Sequence, residues 1–185
     1  LKERQESKYL VEAELHTARS IDQREEDTNY QEAIRRQTTS GFDIKAGTSL
    51  DVDLENILGL YTEAYEGNYT FGLNPENIRS LVENPGNIKA VAIDKDEKVA
   101  SIGVAEVCEV KVDGKTFKFA ELSDAATYSK YARKGLYSAT SSALMIKLAE
   151  QDVDLVYGEA RSSHIGVNIV CRRSGRRFSG LLQKH

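Results

Sequence analysis

Three stretches of alternating apolar residues follow one another with only short breaks: NIKAVAID, KVASIGVAEVCEV and TFKFAELSDAAT. The first two are separated by KDE, and the last two by a segment with an Asp113-Gly114 turn. Period-two patterning with breaks this short spells consecutive antiparallel strands. The pattern then changes. LYSATSSALMIKLAEQD reads as an amphipathic helix and VDLVYGEA as a buried strand. SSHIGVNIVCRRSG reads as a helix capped by Ser162 or Ser163 and stopped by Gly175, and RRFSGLL as a closing strand. Ahead of the strand run, Gly41 punctuates the chain and FDIKAGTS reads as a short strand. DVDLENILGLYTEAYEG is a helix with Asp51 or Asp53 at its start and Leu54, Ile57, Leu58, Tyr61, Ala64 and Tyr65 on one face. NYTFGLN is an aromatic loop, and PENIRSLVEN a second helix with Pro75 in its first turn. The order β-α-α-β-β-β-α-β-α-β predicts an α/β (α+β) fold: a mixed, mostly antiparallel central sheet with helices on both faces.

Residues 1–40 read differently. They are rich in helix formers, poor in apolar residues and free of proline, and Leu10, Val11, Ala13, Leu15, Ala18 and Ile21 give only a narrow stripe. The expectation is a charged helical extension, either a linker or a surface that meets a fused domain, a neighbouring domain or a second copy. Residues 41–185 then form the folded domain. The net charge of −4 argues against a bulk electrostatic grip on nucleic acid. The cations Arg172, Arg173, Arg176 and Arg177 sit where a helix ends, where they complement its dipole, and no aromatics interleave them. No apolar run approaches the ~20 residues that span a bilayer. Two cysteines, Cys108 and Cys171, suit reduced thiols in a cytoplasm better than a disulfide scaffold. His16, His164 and His185 have no metal-ligand spacing, so no metal is expected.

SKYARKGLYSAT joins the third strand of the run to the long helix. The first amides of a helix lack internal partners and carry partial positive charge. Lys130, Arg133 and Lys134 add cations there, and Gly135 lets a ligand approach the backbone. The segment is either a phosphate-binding turn or a solvated charged one.

In this order of elements, ELSDAATYSKYARKGLYSA resembles the GNAT superfamily of acyl-CoA-dependent N-acyltransferases, whose strand-turn-helix carries Arg/Gln-x-x-Gly-x-Gly/Ala. The likeness extends from FDIKAGTSLDVDLENILGLY to EARSSHIGVNIVCRRSGRRFSG, covering residues 41–182. It narrows to bacterial and archaeal β-lysine N-acetyltransferases. NYTFGLNPENI is similar to their loop after the first helix. Ala120, Glu121, Asp124, Ala126 and Thr127 reproduce their Ala-Glu-x-x-Asp-x-Ala-Thr strand, and Ala160, Arg161, Gly166 and Asn168 their later Ala-Arg and Gly-x-Asn. Gly135 holds its motif place, whereas Ala132 stands at the first position and Tyr137 at the sixth. Members of the superfamily also continue through one more strand after the one matched by RRFSGLL.

The resemblance implies transfer of acetyl from acetyl-CoA to the amine of a small amino acid or polyamine, β-lysine among them, by direct attack in a ternary complex. It implies that Glu121, eleven positions before Ala132, is the base, with Asp124 second. An amine of the lysine type, with a pKa of about 10.4, arrives protonated and needs such a base. Ala126, Thr127 and Tyr128 are expected to offer backbone amides to the cofactor and the oxyanion, and Arg133, Lys134, Gly135, Leu136, Tyr137 and Asn168 to hold the rest of the cofactor. Tyr65, Phe71, Glu106 and Arg161 are expected on the substrate side, with Glu159 also near the cleft. Cys171 stands where relatives carry a tyrosine that protonates the leaving thiolate, and packing is its alternative role. The departures at Ala132 and Tyr137 keep a second reading open, a GNAT-like acyl-CoA-binding or scaffold domain.

Overall fold

The computed structural model describes residues 14–20, 41–65, 74–161 and 165–182, with the backbone alone at 14–20, 161 and 180–182. Among the described residues, seven strands form one sheet: β1 (Glu14–Ser20), β2 (Asp43–Gly47), β3 (Asn87–Ile93), β4 (Val99–Val112), β5 (Lys115–Thr127), β6 (Leu155–Arg161) and β7 (Arg177–Leu182). Four helices accompany them: α1 (Leu54–Tyr65), α2 (Pro75–Glu83), α3 (Leu136–Glu150) and α4 (Ile165–Arg173). The sheet order is β2-β3-β4-β5-β6-β1-β7, and every pair is antiparallel except β5–β6. From residue 41 onward the elements follow the expected order.

The extension does not. Glu14–Ser20 is a strand lying between β6 and β7, where a helix was expected. The physical reason is tertiary. Without it, β6 and β7 would each present a row of unpaired N–H and C=O groups, and one inserted strand satisfies both rows. Pairing on two sides outweighs the helix preference of a short charged segment. The sheet therefore draws on both sides of the boundary expected at residue 40. The rest of residues 1–40 lies outside the described residues.

Alternation along the strands builds two apolar layers. Ile88, Ala90, Ala105, Ala120, Leu122 and Val156 face α3 and pack on Leu144, Met145 and Leu148. Val91, Ile102, Val104 and Ala126 face the other way and pack on Ile57, Leu60 and Tyr61 of α1 and Ile78, Leu81 and Val82 of α2. The Asp53 carboxylate accepts the Glu55 amide at the start of α1, and Asn74 caps α2 by accepting the Glu76 amide, with Pro75 at its first position. The β4–β5 hairpin closes through Asp113 (φ 50°) and Gly114 (φ 77°), and positive φ at both residues matches the twist of the strands.

Candidate active site

Two departures from regular pairing open the sheet at one point. On the β4 side, pairing jumps from Val104↔Ser123 to Ile102↔Ala126, so Asp124 and Ala125 oppose the single Gly103. This is a β-bulge, with Asp124 at φ 45°. On the other side, β5 pairs with β6 only from Phe119↔Leu155 to Leu122↔Gly158. Beyond that point β5 runs on to Thr127 and β6 to Arg161 without pairing each other. A wedge opens between two parallel strands, edged by Ser123–Thr127.

The bulge is held from α1. Tyr61 donates its hydroxyl hydrogen to the Asp124 carbonyl, and Tyr65 donates to the Ala125 carbonyl at 2.6 Å. The two rings stack with centroids 6.0 Å apart, as residues four apart on a helix can. Tyr65, expected against the substrate, is thus bonded to the strand. Tyr128 gives its N–H to the Ala100 carbonyl at 3.1 Å, and its hydroxyl both donates to the Asn56 carbonyl and accepts from the Asn56 side chain. This corrects Tyr128 as a cofactor residue, because its amide and its phenol are spent within the fold. Peptide groups of a strand point alternately to its two sides, so the N–H of Thr127 faces the wedge. The Thr127 hydroxyl meets that of Ser101 at 2.7 Å.

The loop after β5 is anchored at both ends. Glu63 of α1 accepts the Ser129 amide at 2.8 Å and its hydroxyl at 2.6 Å, and these bonds hold its carboxyl below the usual range. Tyr131 donates to Asp94, whose carboxyl is likewise held down by that bond. Lys130 lies over the ring of Tyr131 at 4.7 Å, and Lys134 over Tyr131 and Phe42 at 5.3 and 5.6 Å. Arg133 (φ 64°) and Gly135 (φ 75°) take left-handed turns, and Gly135 caps α3 without a side-chain bond to its first amides. Those amides follow directly after three exposed cations, Lys130, Arg133 and Lys134. Leu136 contributes only its backbone there, since its side chain is buried beside Ala92 and Ala100. Tyr137 is half-buried; desolvation pushes its phenol above the ordinary range, a push partly offset by Arg176, to which it is hydrogen-bonded.

Carboxylates gather on the opposite side of the sheet from α3. Ala120 and Leu122 face that helix, so Glu121 points the other way. Glu121 sits directly opposite Glu106 on β4 and beside Tyr157 on β6. The Tyr157 hydroxyl donates to Glu121 at 3.1 Å, and Ser123 donates to Glu106 at 3.0 Å. Burial first, then the Glu121 charge, pushes the Tyr157 phenol up to about 12, with Glu159 adding to the effect. Glu121 is half-buried, and Glu106 and Glu159 are exposed.

Of the remaining expected residues, Asn168 is half-buried on α4. Arg161 ends β6 with its side chain outside the described residues, as is all of Phe71. Cys171 is buried in the packing under α4. Among the described residues no group of three or more His, Cys, Asp or Glu can hold a metal ion, and no helix is long and apolar enough to cross a membrane. Sequence reading missed Glu63, Asp94 and Tyr157, which hold the loop and Glu121. Their signals were an acidic residue on a helix end, one in a hairpin turn and a tyrosine in a strand, none of which reveals a partner 36 or more positions away.

The residues brought together can hold an anionic, extended ligand along the wedge and a cation opposite it. A family model described as an acetyltransferase (GNAT) domain matches residues 48–168. No curated protein matches the chain in sequence. Among solved structures, a point mutant of the BH1408 protein from Bacillus halodurans aligns at 16% identity and TM-score 0.65, covering 77% of this chain and 98% of that one. An aminoglycoside acetyltransferase, meta-AAC0020 from an uncultured soil metagenomic sample, solved with sisomicin, aligns at 15% identity and TM-score 0.63, covering 78% and 95%. A GCN5-related N-acetyltransferase-like protein from Streptococcus suis aligns at 14% identity and TM-score 0.58, covering 98% of this chain and 65% of that one.

Proposed function

The chain belongs to the GNAT acetyltransferase family, and from that premise we propose that it moves an acetyl group from acetyl-CoA to an amine of a small molecule carrying several amino groups. A diamino acid such as β-lysine, a polyamine or an aminosugar fits this description. The observation that carries the reading is the set of three carboxylates, Glu106, Glu121 and Glu159, on the sheet face beside the wedge. Such a set favours an acceptor with more than one positive charge.

The residues present fit the acyl donor. The uncapped amides of α3 with Arg133 and Lys134 suit a pyrophosphate, and the unpaired edge of Ser123–Thr127 suits the extended amides of a pantetheine arm. When bound, acetyl-CoA supplies the activated thioester. The chain's own groups do the rest. Glu121, oriented by the Tyr157 hydroxyl, takes the proton of the incoming ammonium, directly or through water. Glu106 and Glu159 attract the acceptor's remaining charge. The Thr127 amide, turned to the wedge, is the donor we assign to an amide carbonyl of the pantetheine arm. No acyl-enzyme is needed, because the amine attacks within the ternary complex.

Release of CoA with acetyl-CoA across diamino acids, polyamines and aminoglycosides tests this. Turnover is expected with acceptors of two or more amines and is expected to fall at least a hundredfold in E121Q. Lack of turnover with every amine overturns it. The second reading, an acyl-CoA-binding domain without catalysis, is favoured by Tyr137 and Ala132 in the motif; CoA binding by calorimetry without turnover would support it.

A further inference from the structure

Arg176 is a buried cation at the apex of the wedge. Gly175 (φ 77°) ends α4, its amide bonded to the Arg172 carbonyl at 3.1 Å, and the Arg176 amide returns to the Cys171 carbonyl at 3.1 Å. That cap folds the Arg176 side chain back under the helix, and the residue is only 4% exposed. Nε donates to the Ser174 hydroxyl at 3.1 Å and Nη2 to the Ser141 hydroxyl at 3.3 Å, with Tyr137 as a further partner. Tyr137 and Ser141 lie one turn apart on α3, so the guanidinium joins α3 to the end of α4.

Its remaining nitrogen lies against the strand. A Cβ added at Gly158 would stand 3.0 Å from Nη1 and 3.0 Å from the Leu122 carbonyl. Leu122 and Gly158 are the last residues paired before β5 and β6 separate. A glycine is needed there because the guanidinium occupies the space beside the strand. All three partners are neutral hydroxyls, and among the described residues no carboxylate pairs with it. A buried cation solvated only by hydroxyls is costly, and an anion arriving beside it would be held strongly.

We infer that Arg176 holds the sulfur of CoA as a thiolate at the point where β5 and β6 part. This rests on the proposed acetyl transfer. In that reaction the amine nitrogen bonds to the carbonyl carbon, the C–S bond breaks and its electron pair stays on sulfur. The ammonium gives one proton to Glu121 before attack; Glu121 releases it to solvent and takes the second as the amide forms, and the thiolate takes a proton from solvent after it leaves. Cys171, the proton donor for sulfur that the resemblance points to, is buried in the packing of α4. A fixed guanidinium makes that proton unnecessary, because it stabilises the anion directly.

The test compares CoA with desulfo-CoA by calorimetry from pH 7 to 10, and follows the bound thiolate by ultraviolet absorbance. In the wild type, the preference for CoA over desulfo-CoA is expected to rise about tenfold or more with pH, with the bound thiol titrating at least about one unit below the free thiol. R176M is expected to lose both effects, while R176K, which keeps the charge if the methionine variant does not fold, keeps part of them. A Ser141→Ala variant leaves the charge in place and is expected to retain them. A bound thiol that titrates as in free CoA, or the same shift in R176M, overturns the inference while leaving acetyl transfer standing. No CoA binding by the wild type overturns both.

Discussion

Tyr65 donates its phenolic hydrogen to the Ala125 carbonyl at 2.6 Å, fixing a bulge of the central sheet from a helix sixty residues away in sequence. One turn earlier, Tyr61 does the same for Asp124. The bulge and the parting of β5 from β6 define the site, so these two hydroxyls shape it without lining it. Y65F is expected to lose about 1 kcal/mol of stability and Y61F about 1–3 kcal/mol, since Tyr61 is fully buried and its hydroxyl bond to the strand is lost. Urea unfolding measures the loss, and hydrogen exchange is expected to quicken at Ser123–Thr127 in both.

Gly158 and Gly166 are expected to respond oppositely to alanine. A Cβ at 158 meets the Leu122 carbonyl and Arg176 at 3.0 Å, whereas at 166 nothing lies within 4 Å. G158A is expected to cost about 1–3 kcal/mol by overpacking, and G166A, within α4, to gain up to about 1 kcal/mol. Thermal unfolding of the pair checks this.

Tyr157 gives the fold an alkaline limit. Its phenol is pushed up to about 12 by burial and Glu121, above its unfolded value of about 10. The folded state therefore keeps a proton that the unfolded chain has lost. The contribution is whole below about pH 10 and is lost as pH rises toward 12. Spectrophotometric titration is expected to show late-titrating tyrosines, one fewer in Y157F and one shifted earlier in E121Q.

Asp94 acts in the opposite direction. Its carboxyl is held down by the Tyr131 hydroxyl, so its contribution is present above the ordinary aspartate range and lost as pH falls through its lowered value. Y131F is expected to shrink that acid-side loss and to loosen the loop at Ser129–Gly135. Acid unfolding of the two proteins compares the slopes, and weaker CoA binding in Y131F checks the loop.

β1 is expected to be required for the fold. A chain starting at residue 21 leaves facing edges of β6 and β7 unpaired and is expected to aggregate or unfold. Added peptide spanning residues 12–22 is expected to restore a cooperative melt. Unchanged melting of the shortened chain would refute the requirement.

Elements whose pattern is local were legible in the sequence. The alternation of β3 and β4, the Asn74-Pro75 start of α2 and the Asp113-Gly114 turn all announce themselves within a few residues. The turn at Gly135 between strand and helix was legible for the same reason; its role as the cap of α3 comes from the structure. What was not legible depends on partners far along the chain. Glu14–Ser20 looks helical by composition and is a strand because two edges need it. Tyr128 was expected to offer its backbone amide to the cofactor, yet that amide goes to Ala100 and its hydroxyl to Asn56. Arg176 looked like one of four surface cations after a helix; only the Gly175 cap turns it inward.

The place of β1 also orders events during synthesis. Its two neighbours, Leu155–Arg161 and Arg177–Leu182, are among the later residues to leave the ribosome, whereas Glu14–Ser20 is among the earlier. The nascent segment must therefore wait, unpaired, until nearly all the described strands have been made. Sheet closure becomes a late, long-range event, slow by its topology and open to capture by a chaperone in the interval.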